Sequence, residues 1–310
     1  MEKITLNTIY NEPCLKTISK MDNESIDCVI TSPPYWQLRD YGYDGQWGLE
    51  PTYNEYLEHL WSLMDGLWRV LKSEGTCWIN MGDTYGTKSG SMGNGTFDPK
   101  NPIASNTSFE QTATIHKCLL LIPHRFAIGC IDRGWILRND IIWAKRNGMP
   151  ESVRDRFSKK HEFFFFFVKQ EKYFFDLNAI KDKSGERKSG DRFGGKKYIA
   201  ENGDKFIGNT GIYVNEGTKN PGDVADFWDV PTKPSSNEHY ASYNDSLLVK
   251  PVLAGCPKEG VIYDPFMGTG STAEVALRSG RNYIGSEMSK KYIDIAEKRL
   301  LPFKLQKTLF

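Results

Sequence analysis

A strand, a glycine-rich turn, a helix and a second strand follow one another near the C-terminal end of the chain. The first strand is GVIYD at 260–264, the helix covers 271–279 and the second strand is NYIGSE at 282–287. Two strands joined by a helix pair in parallel, because the crossover returns the chain to the same edge of the sheet. This region therefore predicts a parallel β-sheet with helices packed on its faces.

The remainder of the chain alternates strands and helices in the same way. The predicted strands are 25–31, 76–81, 135–145 and 161–169. Five consecutive phenylalanines in the last of them are typical of a strand that is buried on both faces. Apolar residues at three-and-four spacing predict helices at 53–72, which Glu74-Gly75 should end, at 123–133 and at 289–300. We expect an α/β fold with a mostly parallel, doubly wound sheet, whose ligands bind beyond the carboxyl ends of the strands.

Composition places the chain among globular proteins. Of its 310 residues, 39% are hydrophobic and 25% are charged, and no apolar run approaches the roughly 18 residues that a membrane-spanning helix requires. No signal peptide is visible, and the six cysteines form no CxxC pair. We therefore expect a reduced, cytoplasmic protein with no membrane segment and no bound metal.

Charge is distributed unevenly along the chain, although the formal net charge is only +1. Residues 138–205 contain 17 Lys and Arg against 11 Asp and Glu, so the remaining residues are net acidic. A basic middle segment fits contact with a polyanion, and it fits a solvated lysine-rich surface equally well. Charge alone leaves both interpretations open.

The turn Asp264-Pro265-Phe266-Met267-Gly268-Thr269-Gly270-Ser271-Thr272 is the first candidate for a binding site. Its glycines let the backbone approach a ligand closely, and the helix that follows offers free N–H groups to an anionic group. The next strand ends in Glu287, where a carboxylate can accept both hydroxyls of a ribose. A surface acid before a helix is the other interpretation of Glu287, and the adjoining turn favours ribose binding.

The second candidate is TSPPYW at 31–36, which follows the strand 25–31. Two prolines fix the backbone and remove two N–H donors, so carbonyl groups point outward. The Ser32 hydroxyl and the Pro33 carbonyl then form a pair of acceptors suited to a planar exocyclic NH₂ group, with the Tyr35 ring available for stacking. A purely structural turn would have the same residues.

Together, TSPPYW and DPFMGTGST resemble the catalytic and cofactor motifs of the DNA amino-methyltransferases, (D/N/S)PP(Y/F/W) and DPFxGxGT. The catalytic motif comes first here and the cofactor motif last, as in the beta, or permuted, class. Segments 9–18, 138–176 and 220–260 resemble further parts of the family, with Glu12 at a position where Asp is common. Tyr243-Asn244 stands where the family usually has Phe-Pro. The resemblance implies a circularly permuted, Rossmann-like class I methyltransferase fold that uses S-adenosyl-L-methionine.

The resemblance also implies a role for particular residues. The catalytic residues would be Ser32, Pro33, Pro34 and Tyr35. The residues that bind S-adenosyl-L-methionine would be Glu12, Thr31, His239, Asp264, Phe266, Gly268, Gly270, Ser271, Thr272, Glu287 and Met288. The residues that contact double-stranded DNA would be Trp36, Lys145, Arg146, Asn147, Arg154, Lys196 and Lys197, although Trp36 could equally belong to the core and each cation to a solvated surface.

Domain organisation is expected to follow the motifs. Residues 1–169 would form the catalytic half, including a long flexible loop at 86–114 that is rich in Gly, Ser, Thr and Asn. A target-recognition region would occupy 170–220 and the cofactor-binding half 221–310. Whether the protein forms a homodimer, and whether it has a cognate restriction endonuclease, stays open at this point.

The implied reaction is the site-specific transfer of a methyl group to an exocyclic nitrogen of a flipped-out base. In this family serine at the first catalytic position mostly accompanies N4-cytosine methylation, so Ser32 favours cytosine over the N6 of adenine. Protein glutamine methylation uses a similar NPPY motif, but with the cofactor motif before the catalytic one. A catalytically silent DNA-binding module is the non-enzymatic alternative, and the intact Ser32, Gly268 and Gly270 argue against it.

Overall fold

The computed structural model describes residues 4–87, 114–145, 147–148, 151–180, 197–199, 205–207, 225–231 and 245–307. Its strands are β1 (Thr8–Tyr10), β2 (Ile26–Thr31), β3 (Leu71–Met81), β4 (Ile136–Ala144), β5 (His161–Val168), β6 (Lys197–Ile199), β7 (Lys205–Ile207), β8 (Phe227–Asp229), β9 (Val261–Asp264) and β10 (Asn282–Ser286). Its α-helices are α1 (Cys14–Ser19), α2 (Tyr53–Val70), α3 (Ile122–Asp132), α4 (Asp245–Gly255), α5 (Ser271–Arg278) and α6 (Lys290–Lys307). A 3₁₀ turn covers Asn178–Ile180.

Eight strands form the main sheet in the order β1-β10-β9-β2-β3-β5-β4-β8. Neighbouring strands are parallel throughout, except that β5 runs antiparallel to β3 and to β4. The predicted mostly parallel, doubly wound sheet is therefore confirmed. From β9 the chain continues to β10 on one side, and from β2 it continues to β3 on the other, so the β2/β9 boundary is the topological switch point at which such sheets bind ligands.

The five phenylalanines of β5 show how both faces of the sheet are covered. Phe165 and Phe167 pack into one apolar cluster together with α2 and α3, whereas Phe164 and Phe166 pack into the other, which includes α4, α5 and α6. All four side chains are buried. Helices on both faces explain why this strand is continuously apolar, and they confirm the prediction made from its sequence.

The junction between α2 and β3 differs from the sequence prediction. Helix α2 begins with a capping box in which Thr52 and Glu55 satisfy each other's backbone N–H groups. It ends at Val70 rather than before Gly75, because Leu71 is already extended and pairs with Ile26 of β2. Helix and strand thus adjoin directly, and Gly75 lies within β3.

Two compact units divide the chain. One consists of Met1–Ala179 together with Asp226–Phe310 and contains the main sheet. The other is Ile180–Ala225, in which β6 and β7 form an antiparallel pair. The three-part division at 169 and 220 and the flexibility of loop 86–114 stay predictions, since residues 88–113 lie outside the described residues. Within the described ranges, no helix has the length and apolar character needed to cross a membrane.

Candidate active site

The carboxyl ends of β2 and β9 are joined by one buried carboxylate. Asp264 accepts hydrogen bonds from the Thr31 hydroxyl at 2.6 Å, from the Thr272 hydroxyl at 2.6 Å and from the backbone N–H of Phe266 at 3.0 Å. Its side chain is 1% exposed. Asp264 thereby fixes the strand that precedes the TSPPYW motif to the glycine turn that follows β9.

Burial also changes the protonation of Asp264. Desolvation raises its pKa from 3.8 to about 6, while the hydrogen bonds from Thr272, Thr31 and Phe266 act in the opposite direction. The predicted contact of Asp264 with the cofactor remains a prediction. The hydrogen bond from Thr31 links the ends of β2 and β9, and those from Phe266 and Thr272 fix Asp264 to the turn and to α5.

The turn between β9 and α5 depends on its two glycines for different reasons. Both have positive φ values, 55° for Gly268 and 84° for Gly270. A Cβ at Gly270 would lie 2.9 Å from the Cβ of Ala296 on α6, so this glycine allows two helices to pack closely. A Cβ at Gly268 would lie in open space, with the Phe266 carbonyl oxygen at 4.0 Å as its nearest neighbour.

Helix α5 begins next to this open space. Among the described residues, no side chain caps its first turn through a hydrogen bond. The first N–H groups of a helix have no partner within the helix, so they can hold an anionic group there. The Ser271 hydroxyl faces another way, since it accepts a hydrogen bond from Arg299 of α6 at 2.9 Å.

Glu287 lies immediately after β10 and closes the other side of the turn. Its carboxylate accepts the backbone N–H of Gly268 at 2.9 Å and that of Ser289 at 2.7 Å. Burial raises the pKa of this half-buried group, and the two N–H groups oppose that shift. Asn11 donates to the carbonyl oxygens of Glu287 and Met288 at 3.0 and 2.8 Å. The carboxylate is thus held at the turn by two backbone N–H groups, and its predicted contact with a ribose stays a prediction.

Glu12 lies between β1 and α1 and is paired within the protein. Its carboxylate contacts Lys20 at 2.8 Å and Lys16 at 3.3 Å, and accepts the Thr17 hydroxyl at 3.1 Å. Burial would raise the pKa of Glu12, but these hydrogen bonds outweigh it and lower the pKa. Its predicted role beside the adenine ring stays a prediction.

Ser32, Pro33, Pro34 and Tyr35 follow β2 at the switch point. The hydroxyl of Ser32 lies 3.3 Å from Oδ1 of Asn80 and 3.5 Å from Oη of Tyr35. The backbone of the motif is also held, because the hydroxyl of Tyr56 on α2 donates to the Pro34 carbonyl at 2.8 Å. The motif is therefore anchored to α2 through its backbone and to Asn80 through the Ser32 hydroxyl.

Tyr35 is held by residues that the sequence analysis missed. Its hydroxyl lies 2.7 Å from Oε2 of Glu162 and 3.0 Å from Oδ1 of Asn80. Lys145 pairs with the other carboxylate oxygen of Glu162. Burial and then the charge of Glu162 raise the pKa of Tyr35 well above its ordinary value, so the phenol keeps its proton. The antiparallel direction of β5 brings Glu162, at its amino end, to the edge where β2 and β3 end.

Trp36 was named as a DNA contact, with a place in the core as the equal alternative, and the structure supports the core position. Its ring is 2% exposed, lies in the hydrophobic core and donates to the Glu50 carbonyl at 2.9 Å. An indole enclosed in this way leaves no face for DNA. Its burial helps to fix the loop that returns to Gly48 and Glu50, where Glu50 accepts the Gly48 N–H at 2.8 Å.

The other predicted DNA contacts are distributed over several places. Lys145 directs its ammonium group to Glu162, whereas Arg154 is exposed. Asn147 lies in the short turn after β4. Lys197 belongs to β6 in the second unit. Arg146 and Lys196 lie outside the described residues, as does His239, which was predicted to bind the cofactor.

The site contains the Glu287 carboxylate beside the uncapped start of α5, and the Ser32 motif at the end of the neighbouring strand β2. This arrangement suits a ligand with a ribose and an anionic end on one side and an amine on the other. In the part of the chain that the structure describes, no group of three or more His, Cys, Asp or Glu side chains could hold a metal ion.

Comparison with solved structures shows the same fold in proteins of low sequence identity. The PvuII DNA methyltransferase, described as cytosine-N4-specific, aligns with a TM-score of 0.64 over 96% of this chain and 87% of its own, at 16% identity. The Thermus thermophilus protein TTHA0409, in complex with S-adenosyl-L-methionine, aligns with a TM-score of 0.59 over 96% of this chain and 94% of its own, at 17% identity.

Sequence comparison gives nearer relatives. The chain is 35% identical to the Type II methyltransferase M.Cfr9I of Citrobacter freundii over 96% of this chain and 90% of the relative. It is also 35% identical to the Type II methyltransferase M.SmaI of Serratia marcescens, over 92% and 88% of the two chains. The family described as DNA methylase matches residues 26–298. This match includes both the acceptor motif and the glycine turn that Asp264 links. The chain therefore belongs to this DNA methylase family.

Proposed function

We propose that the protein transfers a methyl group from S-adenosyl-L-methionine to the N4 of a cytosine that is flipped out of duplex DNA at a specific sequence. The observation that carries the proposal is the link from Thr31 to Asp264, which holds the acceptor pair of Ser32 and Pro33 beside the glycine turn. The PvuII enzyme, whose fold this chain shares, is described as cytosine-N4-specific, and the nearer relatives are described as Type II methyltransferases.

The residues at the switch point fit S-adenosyl-L-methionine. The Glu287 carboxylate would accept the ribose hydroxyls, and the uncapped start of α5 would receive the carboxylate of the methionine moiety. The open space at Gly268 leaves room for the ligand beside the turn. When bound, the cofactor supplies an electrophilic methyl group on a sulfonium.

Ser32 and Pro33 act on the other reactant. The lone pair of an aryl amine is delocalised into the ring, so the amine is a weak nucleophile. The Ser32 hydroxyl oxygen and the Pro33 carbonyl would each accept one amine hydrogen, which favours a pyramidal nitrogen whose lone pair is aimed along the transfer direction. The amine nitrogen would take the methyl group as the bond between that group and sulfur breaks, which leaves S-adenosylhomocysteine. One amine hydrogen would be lost as a proton during or after the displacement. Positioning and fixed dipoles supply most of the catalysis, so no strongly basic residue is needed.

Tyr35 supports the base after it has left the helix. Extrusion of a base costs a few kcal/mol, and stacking on an aromatic ring is worth about 1–3 kcal/mol. Because Glu162 and Asn80 hold the Tyr35 hydroxyl, the ring is fixed before the base arrives. Arg154 and the residues near Lys197 are proposed contacts to the DNA backbone and to the target sequence.

The remaining partners follow from the same proposal. The Type II description of the relatives makes a restriction endonuclease of the same specificity the expected partner, and DNA methylated by this protein should resist that endonuclease. Formation of a homodimer is tested by sedimentation of the purified chain. A cytoplasmic location is proposed from the DNA substrate.

Methylation-aware sequencing of DNA from cells that express the protein tests the proposal and yields the base, the position and the recognition sequence together. We expect N4-methylcytosine at one sequence, and none in cells expressing the Ser32→Ala variant. Digestion of the DNA to nucleosides identifies the base independently. Methyladenine without methylcytosine would replace the cytosine assignment with the N6-adenine alternative, and unmethylated DNA would favour the silent binding module.

A further inference from the structure

Among the described residues, two side-chain oxygens lie within hydrogen-bonding distance of the Ser32 hydroxyl, Oδ1 of Asn80 and Oη of Tyr35. Asn80 is oriented by its own amide group, because Nδ2 donates to the Phe163 carbonyl at 3.0 Å. Oδ1 must then face Ser32, 3.3 Å away. An amide oxygen only accepts hydrogen bonds, so the Ser32 hydroxyl is the donor of this pair.

Tyr35 is restricted in the same sense by Glu162. A phenol oxygen 2.7 Å from a carboxylate oxygen has to donate, since without the hydrogen two oxygens at that distance would repel each other. Lys145 pairs with the second oxygen of Glu162. The Tyr35 hydrogen points to Oε2 of Glu162 at 2.7 Å, with Oδ1 of Asn80 as a second acceptor at 3.0 Å. The Tyr35 oxygen therefore offers only lone pairs to Ser32, 3.5 Å away.

Both neighbours of Ser32 therefore draw its single hydrogen into the protein. The lone pairs of the hydroxyl then remain for the pocket, and the Pro33 carbonyl beside it carries no hydrogen. We infer that Asn80 and Glu162 are positioning residues that make the Ser32 hydroxyl an obligate acceptor, so that the pocket takes bases with an exocyclic amine and rejects bases with a carbonyl at the same position. The inference rests on the proposed function and deepens it.

A base with a carbonyl at this position would face the lone pairs of the Ser32 hydroxyl and of the Pro33 carbonyl, and no donor. Uracil differs from cytosine in this respect at position 4, and hypoxanthine differs from adenine in the same way at position 6. Rejection needs no steric difference, because an unpaired polar group inside a closed site is itself unfavourable. The selectivity should therefore depend on Asn80 and Glu162, neither of which needs to touch the base.

The test measures binding of two duplexes to the full-length protein with S-adenosylhomocysteine present. Both duplexes carry the recognition sequence found by methylation mapping, one with cytosine and one with uracil at the methylated position. A U·G mismatch opens more easily than a C·G pair for every variant, so the quantity compared is the cytosine-to-uracil affinity ratio of each variant relative to the wild type.

Asn80→Leu removes the acceptor and frees the Ser32 hydrogen to reach a carbonyl. We expect the affinity ratio to fall about tenfold, which corresponds to one hydrogen bond. Asn80→Asp keeps an oxygen for Ser32 and should recover part of the ratio. Glu162→Gln, at a less buried position, should lower the ratio as well, because an amide can donate to Tyr35.

Met81→Leu is the matched control, since Met81 follows Asn80 in β3 and packs in the apolar core. Its affinity ratio should equal that of the wild type. If folded Asn80→Leu and Glu162→Gln bind DNA with an unchanged ratio, the two residues are merely structural and the inference is wrong. If the wild type methylates adenine, the cytosine proposal fails while the inference is tested with adenine against hypoxanthine in the same way.

Discussion

The Ser32 hydroxyl lies where β2 ends, half-buried and surrounded by fixed side chains. Replacing it with Ala removes one of two acceptors for the amine and leaves the turn of Asp264 and Gly268 untouched. We expect turnover to fall about 100-fold or more, by analogy with the loss of one preorganised hydrogen-bonding group in other active sites. The dissociation constant of S-adenosyl-L-methionine, measured by calorimetry, should change little. Turnover at the wild-type rate would remove Ser32 from the mechanism.

Asp264 makes stability depend on pH in a direction opposite to that of most carboxylates. The unfolded carboxyl ionises near 3.8 and the folded one near 6, so the folded protein binds more protons between these values. The free energy of unfolding contributed by Asp264 is therefore highest below about pH 4, falls as pH rises to 6 and is constant above.

An Asp264→Asn variant isolates this effect, because the amide does not titrate. Urea unfolding of both proteins from pH 4 to pH 7 should show the wild type losing on the order of 3 kcal/mol relative to the variant. Carboxylates that do not interact with Asp264 cancel in the difference. A difference that stays constant over this range would mean that Asp264 has an ordinary pKa in the folded protein.

The turn between β9 and α5 shows how one motif serves packing and binding at separate positions. Gly268→Ala should lower the free energy of unfolding by about 1–2 kcal/mol. This loss comes from the left-handed backbone alone, because the added Cβ meets open space. Gly270→Ala adds a clash with Ala296 and should cost about 1–3 kcal/mol more. Urea unfolding gives both values, and equal losses would contradict the assignment.

We expect Gly268→Ala to lose more cofactor affinity than Gly270→Ala, although it loses less stability. The Cβ of Gly268→Ala projects into the space proposed for the ligand, so we expect it to weaken S-adenosyl-L-methionine binding while the fold persists. Calorimetric titration of both variants, at a temperature where each is folded, measures this. Unchanged binding by Gly268→Ala would place the ligand elsewhere along the turn.

Most elements could be predicted because their signals are local. The spacing of apolar residues along α2 and the five phenylalanines of β5 predicted a helix and a doubly covered strand, and both are present. The end of α2 was placed too late because Gly75 was taken as a helix stop. What moved the boundary is the pairing of Leu71 with Ile26, a contact between distant parts of the chain.

At the scale of the whole molecule, the net charge of +1 is the sum of a basic middle segment and acidic flanking segments. The basic segment should make DNA affinity depend on salt concentration. Arg154 is exposed in that segment, on the stretch that leads into β5. Each phosphate that a cation neutralises contributes about 0.9 to the slope of log affinity against log salt concentration. We expect Arg154→Ala to reduce that slope by about 0.9 without changing the preference for the target sequence.

Arg278→Ala is the control for this measurement. Arg278 is also exposed, but it lies at the end of α5, and since α5 begins at the carboxyl edge of the sheet, its end lies at the opposite edge. Its slope should equal that of the wild type in fluorescence titrations at several salt concentrations. Equal slopes for Arg154→Ala and the wild type would mean that Arg154 is a solvated surface residue that contacts no phosphate.

The sequence by itself determined the alternation of strands and helices, the two motifs and the family, because each depends on residues close together in the chain. Tertiary structure decided which side chains meet at the motif. Tyr35 and Glu162 are 127 positions apart, and Ser32 and Asn80 are 48 apart. Strand order and the antiparallel direction of β5 bring them together, and neither can be predicted from the local spacing of apolar residues. The same holds for Trp36, whose residue type suits a core and a DNA surface equally, so that only packing assigned it to the core.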